Sequence, residues 1–197
     1  SGDQGLIDAY RQAQDIHAIT ASQVFHIPLE EVTPLQRRNA KAVNFGIVYG
    51  KSDFGLSEDL HIPVKQAKEY IENYFRHYSS VEKYMKGLIE SGLETGYATT
   101  KYGRKRKVLE LKSANYNTRM FGERVAMNAP IQGYAADIIK IAMVNVFERL
   151  KRENLNAKLI LQVHDELIIQ AKNSELEEIK ELLVRNMESA MDLSVKL

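Results

Sequence analysis

Residues Arg37–Gly50 read RRNAKAVNFGIVYG, and the reading of this stretch decides the fold. Just ahead of it stand Thr33, Pro34 and Gln36. A threonine at the N-cap, a proline at the first helical position and a glutamine three residues after the cap together form a strong helix start. They predict a helix from Pro34 to about Tyr49. On it Arg37, Lys41, Phe45 and Tyr49 recur every four residues. Each step overshoots a full turn by about 40°, so the four fall within an arc of about 120° on one face. Two cations are followed by two aromatics. Arginine offers a fork to phosphate oxygens and lysine a point charge. The helix N-terminus adds partial positive charge on the same side, and an aromatic farther along can stack on a base or sugar. The competing reading is a solvated basic face followed by an aromatic core stripe, and spacing alone leaves the two even. Gly46 and Gly50, read as lying inside the helix, cost about 1 kcal/mol each against alanine. They let a backbone or a base come close, which favours the nucleotide-binding reading.

Outward from this helix the chain is mostly helical. Asp15 caps a helix to about Phe25, and Pro63 opens another carrying Val64, Ala67, Tyr70, Ile71, Tyr74 and Phe75 at helical spacing. A further helix covers about Ser80 to Thr95, with Gly96 as its C-cap. GYATTKYGRKRKVLEL has β-prone residues around a Gly-centred turn and reads as a short hairpin. Arg119 to Asn128 reads as helix, Pro130 interrupts it, and a long helix follows from about Gln132 to Glu153. KLILQVHDELIIQAK changes period and reads as a β-hairpin. Ser174 with Glu177 reads as a capping box for a helix to about Met191, with Leu176, Ile179, Leu182, Leu183 and Met187 as its apolar stripe. The opening SGDQGLIDAY reads as irregular and the closing MDLSVKL as the start of a strand, so the chain reads as a piece of something longer.

Composition narrows the function classes. The 197 residues contain no cysteine, which excludes a disulfide framework and thiolate chemistry and suits a reducing compartment. A formal net charge of +1 means that anion binding must come from local clusters. No stretch is long and apolar enough to span a bilayer as a helix, and the start does not read as a signal peptide.

LQVHDEL sets His164, Asp165 and Glu166 between two apolar strands. An acidic pair at a hairpin tip can hold a divalent cation, because Mg²⁺ takes oxygen ligands and commonly uses one or two carboxylates plus substrate phosphates. Asp and Glu are also ordinary turn residues, and alone the tripeptide favours that plainer reading. Lys101, Arg104, Lys105, Arg106 and Lys107 put five cations into seven residues. Such a run is either a solvated turn or a sequence-independent phosphate contact. His26, His61 and His77 read as structural, Tyr70, Tyr74 and Tyr78 as packing, and Gly92 and Gly96 as helix punctuation.

Together these stretches carry a resemblance. RRNAKAVNFGIVYG resembles the fingers helix of the family A DNA polymerases, and LQVHDEL resembles that family's palm carboxylate motif. ERVAMNAPIQGYAADIIK, from Glu123 to Lys140, is similar to the palm segment between them, and SGD at the start and DIH at Asp15 to His17 match in the same order. The resemblance covers essentially the whole chain. It implies an α+β, mostly helical fold, with residues 1–115 fingers-like and residues 116–197 a partial palm with a β-hairpin, the N-terminal palm strand and the thumb being absent.

The resemblance also implies roles. Arg37, Arg38, Lys41, His17, Phe45 and Tyr49 would form the nucleotide site. Arg37, Lys41 and His17 would bind the triphosphate, and Lys41 would protonate the leaving pyrophosphate. Phe45 would pack on the sugar and base, Tyr49 would stand where the templating base arrives, and Arg38 would lie beside them. Arg124, Asn128, Gln132 and His164 would contact the primer–template. Asp165 would ligate a catalytic metal, with Glu166 beside it, and the cofactor would be two Mg²⁺ ions. Phage-type RNA polymerases share a similar helix, but there the hairpin resembles His-Asp-Ser, so Glu166 and Phe45 favour DNA synthesis.

The implied parent is a DNA-directed DNA polymerase of replication and repair. It would be cytoplasmic and monomeric, with primer–template DNA and deoxynucleoside triphosphates as partners and no membrane. The family's other metal carboxylate belongs to an Asp-Tyr-Ser-Gln-Ile-Glu segment expected ahead of SGD. Asp3, Asp8 and Asp15 do not replace it, so little or no polymerase activity is expected of this chain alone. The alternative is a non-catalytic nucleotide- or nucleic-acid-binding module with a polymerase-like fold.

Overall fold

A computed structural model describes residues 1–197. Eight α-helices and two antiparallel hairpins form two compact units, residues 1–132 and 133–197.

In the first unit α1 (Gln4–Arg11) starts at Asp3, whose side chain accepts from Leu6 N. The opening residues are therefore helical rather than irregular. Their start signal is Asp3 itself, followed by too short an apolar pattern to mark a helix. α2 (Ile16–Phe25) is capped by Asp15 as expected. α3 (Pro34–Val48) carries the full Thr33–Gln36 capping box. α4 (Asp53–Leu60), which the apolar pattern does not announce, begins at Ser52, whose hydroxyl accepts from Gly55 N. α5 (Val64–His77) and α6 (Ser79–Thr95) follow, and Gly96 closes α6 at φ 77°. β1 (Tyr97–Thr99) pairs with β2 (Lys105–Lys107).

The core of this unit joins Val24, Val43, Ile47, Leu56, Tyr74 and Tyr78. The tyrosines of α5 thus pack inward, and burial pushes the phenols of Tyr74 and Tyr78 above the ordinary tyrosine value. A smaller core of Ala98, Val108, Leu111 and Ala126 seats the β1–β2 hairpin. Gly92 belongs to that contact rather than punctuating α6: a Cβ there would lie 2.8 Å from Leu111 Cδ1. His26 and His61 are left-handed C-caps and His77 ends α5, all structural as expected.

α7 runs unbroken from Tyr116 to Arg152 with Pro130 inside it, where the sequence suggested an interruption. A mid-helix proline removes one i−4 hydrogen bond and costs about 3 kcal/mol. Here the residues around it are held by packing: Pro130 is buried, Met127 and Ile131 join the larger core of the first unit and Ala126 the smaller one.

In the second unit β3 (Ala157–Val163) and β4 (Glu166–Ala171) form the expected hairpin, with a register shift between Leu159 and Leu161. α8 spans Leu176–Glu188 and makes no side-chain cap. The Ser174–Glu177 box does not form, because Asn173–Glu175 is a 3₁₀ turn and Glu175 Oε2 instead accepts from Asn156 N at 2.9 Å. Ile179 and Leu182 are buried against Ala142, Val146 and Leu167. Leu176 is exposed and drops out of the expected stripe. The last residues, read as the opening of a strand, are irregular.

Candidate functional site

The expected face of α3 forms. Phe45 and Tyr49 stack with centroids 6.3 Å apart and planes 20° apart. Lys41 Nζ lies 5.7 Å from the Phe45 centroid, and the His17 ring 6.0 Å from it. Phe45 is 44% exposed and Tyr49 43%, so this is an open aromatic pair beside a cation rather than a core stripe. Arg37, Arg38 and Lys41 are exposed. Arg37 Nε donates to Asp15 Oδ2 at 2.5 Å.

His17 enters from the first turn of α2. Its Nδ1 lies 2.9 Å from Asn44 Nδ2, which also donates to Thr20 Oγ1 at 3.1 Å. Thr20 in turn donates to the Ile16 carbonyl at 2.8 Å. Asn44 and Thr20 hold the ring in place, a function that the sequence reading missed. The signal was present: Asn44 lies one residue from the Phe45 face, and Thr20 lies three residues after His17. Burial, then the nearby Arg37 charge, hold the His17 imidazole below the ordinary histidine value, with Asp15 opposing and Lys41 adding to the depression.

Of the two glycines, Gly50 provides the close backbone approach expected, from outside the helix, and Gly46 does not. α3 ends at Val48, so Gly50 lies beyond it with φ +64°. A Cβ there would collide with Met127 Cε and fall 3.3 Å from Arg124 Cα. Gly50 therefore admits the α7 backbone rather than a base. Gly46 is buried in the helix, and a Cβ there would meet Leu56 at 3.6 Å, an ordinary contact.

Arg124, Asn128 and Gln132 recur every four residues on α7, and two of them reach the end of α3. Asn128 Nδ2 donates to the Val48 carbonyl at 3.2 Å, and Arg124 sits against Gly50 with its guanidinium 5.9 Å from the Phe121 ring. Gln132 is exposed. Beside this junction opens a cavity of about 730 Å³, with Ile47, Met85 and Met127 in its apolar wall and Lys51, Glu82 and Arg124 among its charged groups. Arg37 and Lys41 do not line it. They stand instead on open surface.

In the second unit His164 and Asp165 form the two-residue tip of the β3–β4 hairpin, closed by the Val163–Glu166 pair. His164 has φ 52° in a position where tight hairpins favour glycine, and Gln162 Nε2 donates to its carbonyl at 2.9 Å. His164, Asp165 and Glu166 are exposed. The hard carboxylate oxygens of the two acids fit Mg²⁺, and one or two carboxylates suffice when substrate phosphates complete the shell. No three His, Cys, Asp or Glu side chains converge as a metal site anywhere in the chain, the hairpin tip included. No helix is long and apolar enough to cross a membrane.

Comparison with known proteins agrees in kind. The family model for DNA polymerase family A matches residues 1–197. DNA polymerase I of Caldicellulosiruptor bescii is 48% identical over 197 residues, covering 100% of this chain and 23% of that protein. DNA polymerase I of Bacillus caldotenax is 49% identical over 195 residues, 99% of this chain and 22% of that one. Among solved structures, the POL domain of Pol1 from M. smegmatis in complex with DNA primer-template and dNTP superposes with a TM-score of 0.92 at 42% identity, covering 99% of this chain and 34% of that one. The chain thus spans under a quarter of the length of the two curated relatives.

Proposed function

The chain belongs to DNA polymerase family A, and we propose that it supplies the nucleotide-binding and primer-end-contacting part of a template-directed DNA polymerase. The observation that carries this is the α3 face, where Arg37, Lys41, Phe45 and Tyr49 are open to solvent and His17 stands half-buried beside them. A deoxynucleoside triphosphate would set its phosphates on Arg37, Lys41 and His17 and its base and sugar against Phe45 and Tyr49. The DNA primer-template and dNTP bound to the M. smegmatis Pol1 domain support both partners. Residues 1–115 serve as the fingers-like region and residues 116–197 as the palm-like region. The enzyme works in the cytoplasm, as a monomer.

On this reading each group has a task. Arg37 neutralises phosphate charge through paired donors. Lys41, with its ammonium near the aromatic pair, donates a proton to the leaving pyrophosphate. Arg124, Asn128 and Gln132 of the first unit contact the primer–template, and His164 contacts it from the second unit independently. Asp165 would hold Mg²⁺, with Glu166 beside it. Two such ions, when bound, would activate the 3′-oxygen and stabilise charge on the leaving oxygens of an in-line displacement. A second carboxylate strand is needed for that pair. Apart from Glu166, none of the four strands here carries an acidic residue. The 197-residue chain therefore binds nucleotide without extending a primer.

Calorimetric titration of the chain with dATP and Mg²⁺ tests the reading, with primer extension run in parallel. Arg37→Ala and Lys41→Ala should each weaken binding at least about tenfold, as expected for charge-assisted contacts. Equal binding by both variants would overturn the site. Primer extension that vanishes in Asp165→Ala would show that a different acid completes the metal pair.

A further inference from the structure

Asp15 uses its two oxygens separately. Oδ1 accepts from His17 N at 3.1 Å and Ala18 N at 3.2 Å and so caps α2. Oδ2 accepts from Arg37 Nε at 2.5 Å, across to α3. Holding a guanidinium through Nε engages one of its five N–H donors. The two terminal amino groups of Arg37 make no hydrogen bond within the chain, and they form the planar fork that matches phosphate. An arginine side chain carries about 2 kcal/mol of rotamer entropy, and the tether removes part of that freedom before a ligand arrives. The same carboxylate fixes the start of α2 and with it the position of His17.

We propose that Asp15 is a positioning residue for nucleotide binding: it orients the Arg37 guanidinium so that both terminal amino groups face the incoming phosphates. This rests on the reading of the α3 face as a triphosphate site. A free carboxylate at this place would repel phosphate, and a competing one would hold Arg37 away from it. The Nε-only engagement argues against competition, because the phosphate-matching edge stays open. The side chains of Arg37 and Asp15 are 48% and 43% exposed, so solvent screens their mutual attraction, and the effect acts through orientation more than through charge.

The test separates the cap from the tether. Serine and asparagine cap helices about as well as aspartate, so Asp15→Ser and Asp15→Asn keep α2 capped. The serine hydroxyl is too short to reach Arg37, whereas the asparagine oxygen can reach it as a weaker, neutral acceptor. Tripolyphosphate and dATP are titrated, with Mg²⁺, into the full 197-residue chain and both variants, and thermal unfolding is recorded. Asp15→Ser should lose about two- to fivefold in affinity for both ligands, the size of a partly exposed charge contact, and Asp15→Asn should recover part of it. Both should unfold within about 2 °C of the parent, as expected with the cap retained. In an Arg37→Ala background Asp15→Ser should cause no further loss, and removing the then unpaired carboxylate should if anything tighten binding, because the loss in the parent runs through Arg37. Equal or tighter binding by Asp15→Ser overturns the inference while the nucleotide site stands. An equal loss in the Arg37→Ala background overturns it too. Failure of the parent chain to bind either ligand overturns the α3 site and the inference with it.

Discussion

Asn128 donates its side-chain amide to the main-chain carbonyl of Val48 at 3.2 Å across 80 residues of sequence. Val48 is the last residue of α3, so this bond ties the C-terminal end of that helix to α7. Asn128→Ala should cost about 1 kcal/mol of stability, the net worth of such a bond. A lowered urea midpoint with an unchanged m-value would show it. Loss of the amide should also weaken primer–template binding, measured by anisotropy of a labelled hairpin DNA.

Gly50 marks the same junction from the α3 side. Gly50→Ala meets two obstacles, a φ of +64° and the Arg124 backbone at 3.3 Å. The Met127 methyl, which the new Cβ would also overlap, is the end of a flexible side chain and can move. The backbone strain should remain and cost about 1–3 kcal/mol, read as a fall in thermal midpoint. Gly46→Ala, in ordinary contact only, should be neutral or stabilising by up to about 1 kcal/mol.

His17 predicts a pH dependence of known sign. Its folded pKa lies below the ordinary value, chiefly through burial, so the unfolded chain binds the proton first as pH falls. Its contribution to stability should therefore be intact above about pH 6.5, the unfolded value, and decline as pH drops towards the folded value. Asp15, held low by its hydrogen bond from Arg37, loses its contribution in the same direction, below about pH 3.9. Proton NMR titration should show His17 below the ordinary histidine value, moving up when tripolyphosphate is added and in Arg37→Ala.

The β1–β2 hairpin carries the cation run on a firm base. Lys105, Arg106 and Lys107 are all exposed in β2, Lys105 Nζ lies 5.7 Å from the Tyr97 ring, and Ala98 and Val108 anchor the turn in its own core. Replacing Lys105, Arg106 and Lys107 by glutamine should weaken single-stranded DNA binding. It should also flatten the slope of log K against log salt by about 0.7 for each phosphate no longer neutralised. An unchanged salt slope would make the run a solvated turn.

The elements written in neighbouring residues were legible. The Thr33–Gln36 box, the Asp15 cap and the Gly96 C-cap each act within a few residues, and the period change at KLILQVHDELIIQAK needs only alternation. α1 and α4 were missed although Asp3 and Ser52 cap them, because eight residues are too few for periodicity to stand out. At Ser174–Glu177 the local signal was present but overridden, since Glu175 found a partner in Asn156.

By itself the sequence determined which residues share a helix face: the spacing of Arg37, Lys41, Phe45 and Tyr49 requires only helical geometry. Tertiary structure decided what those residues meet. That Arg37 is held by Asp15, 22 residues away, that Asn128 reaches Val48, that Gly50 admits α7, and that the helix passes through Pro130 all depend on packing between distant segments. A cap or a period is encoded by neighbours that are always close. A long-range partner becomes close only when the whole core has chosen one arrangement, and only then can packing outweigh the local cost of a proline or a left-handed turn.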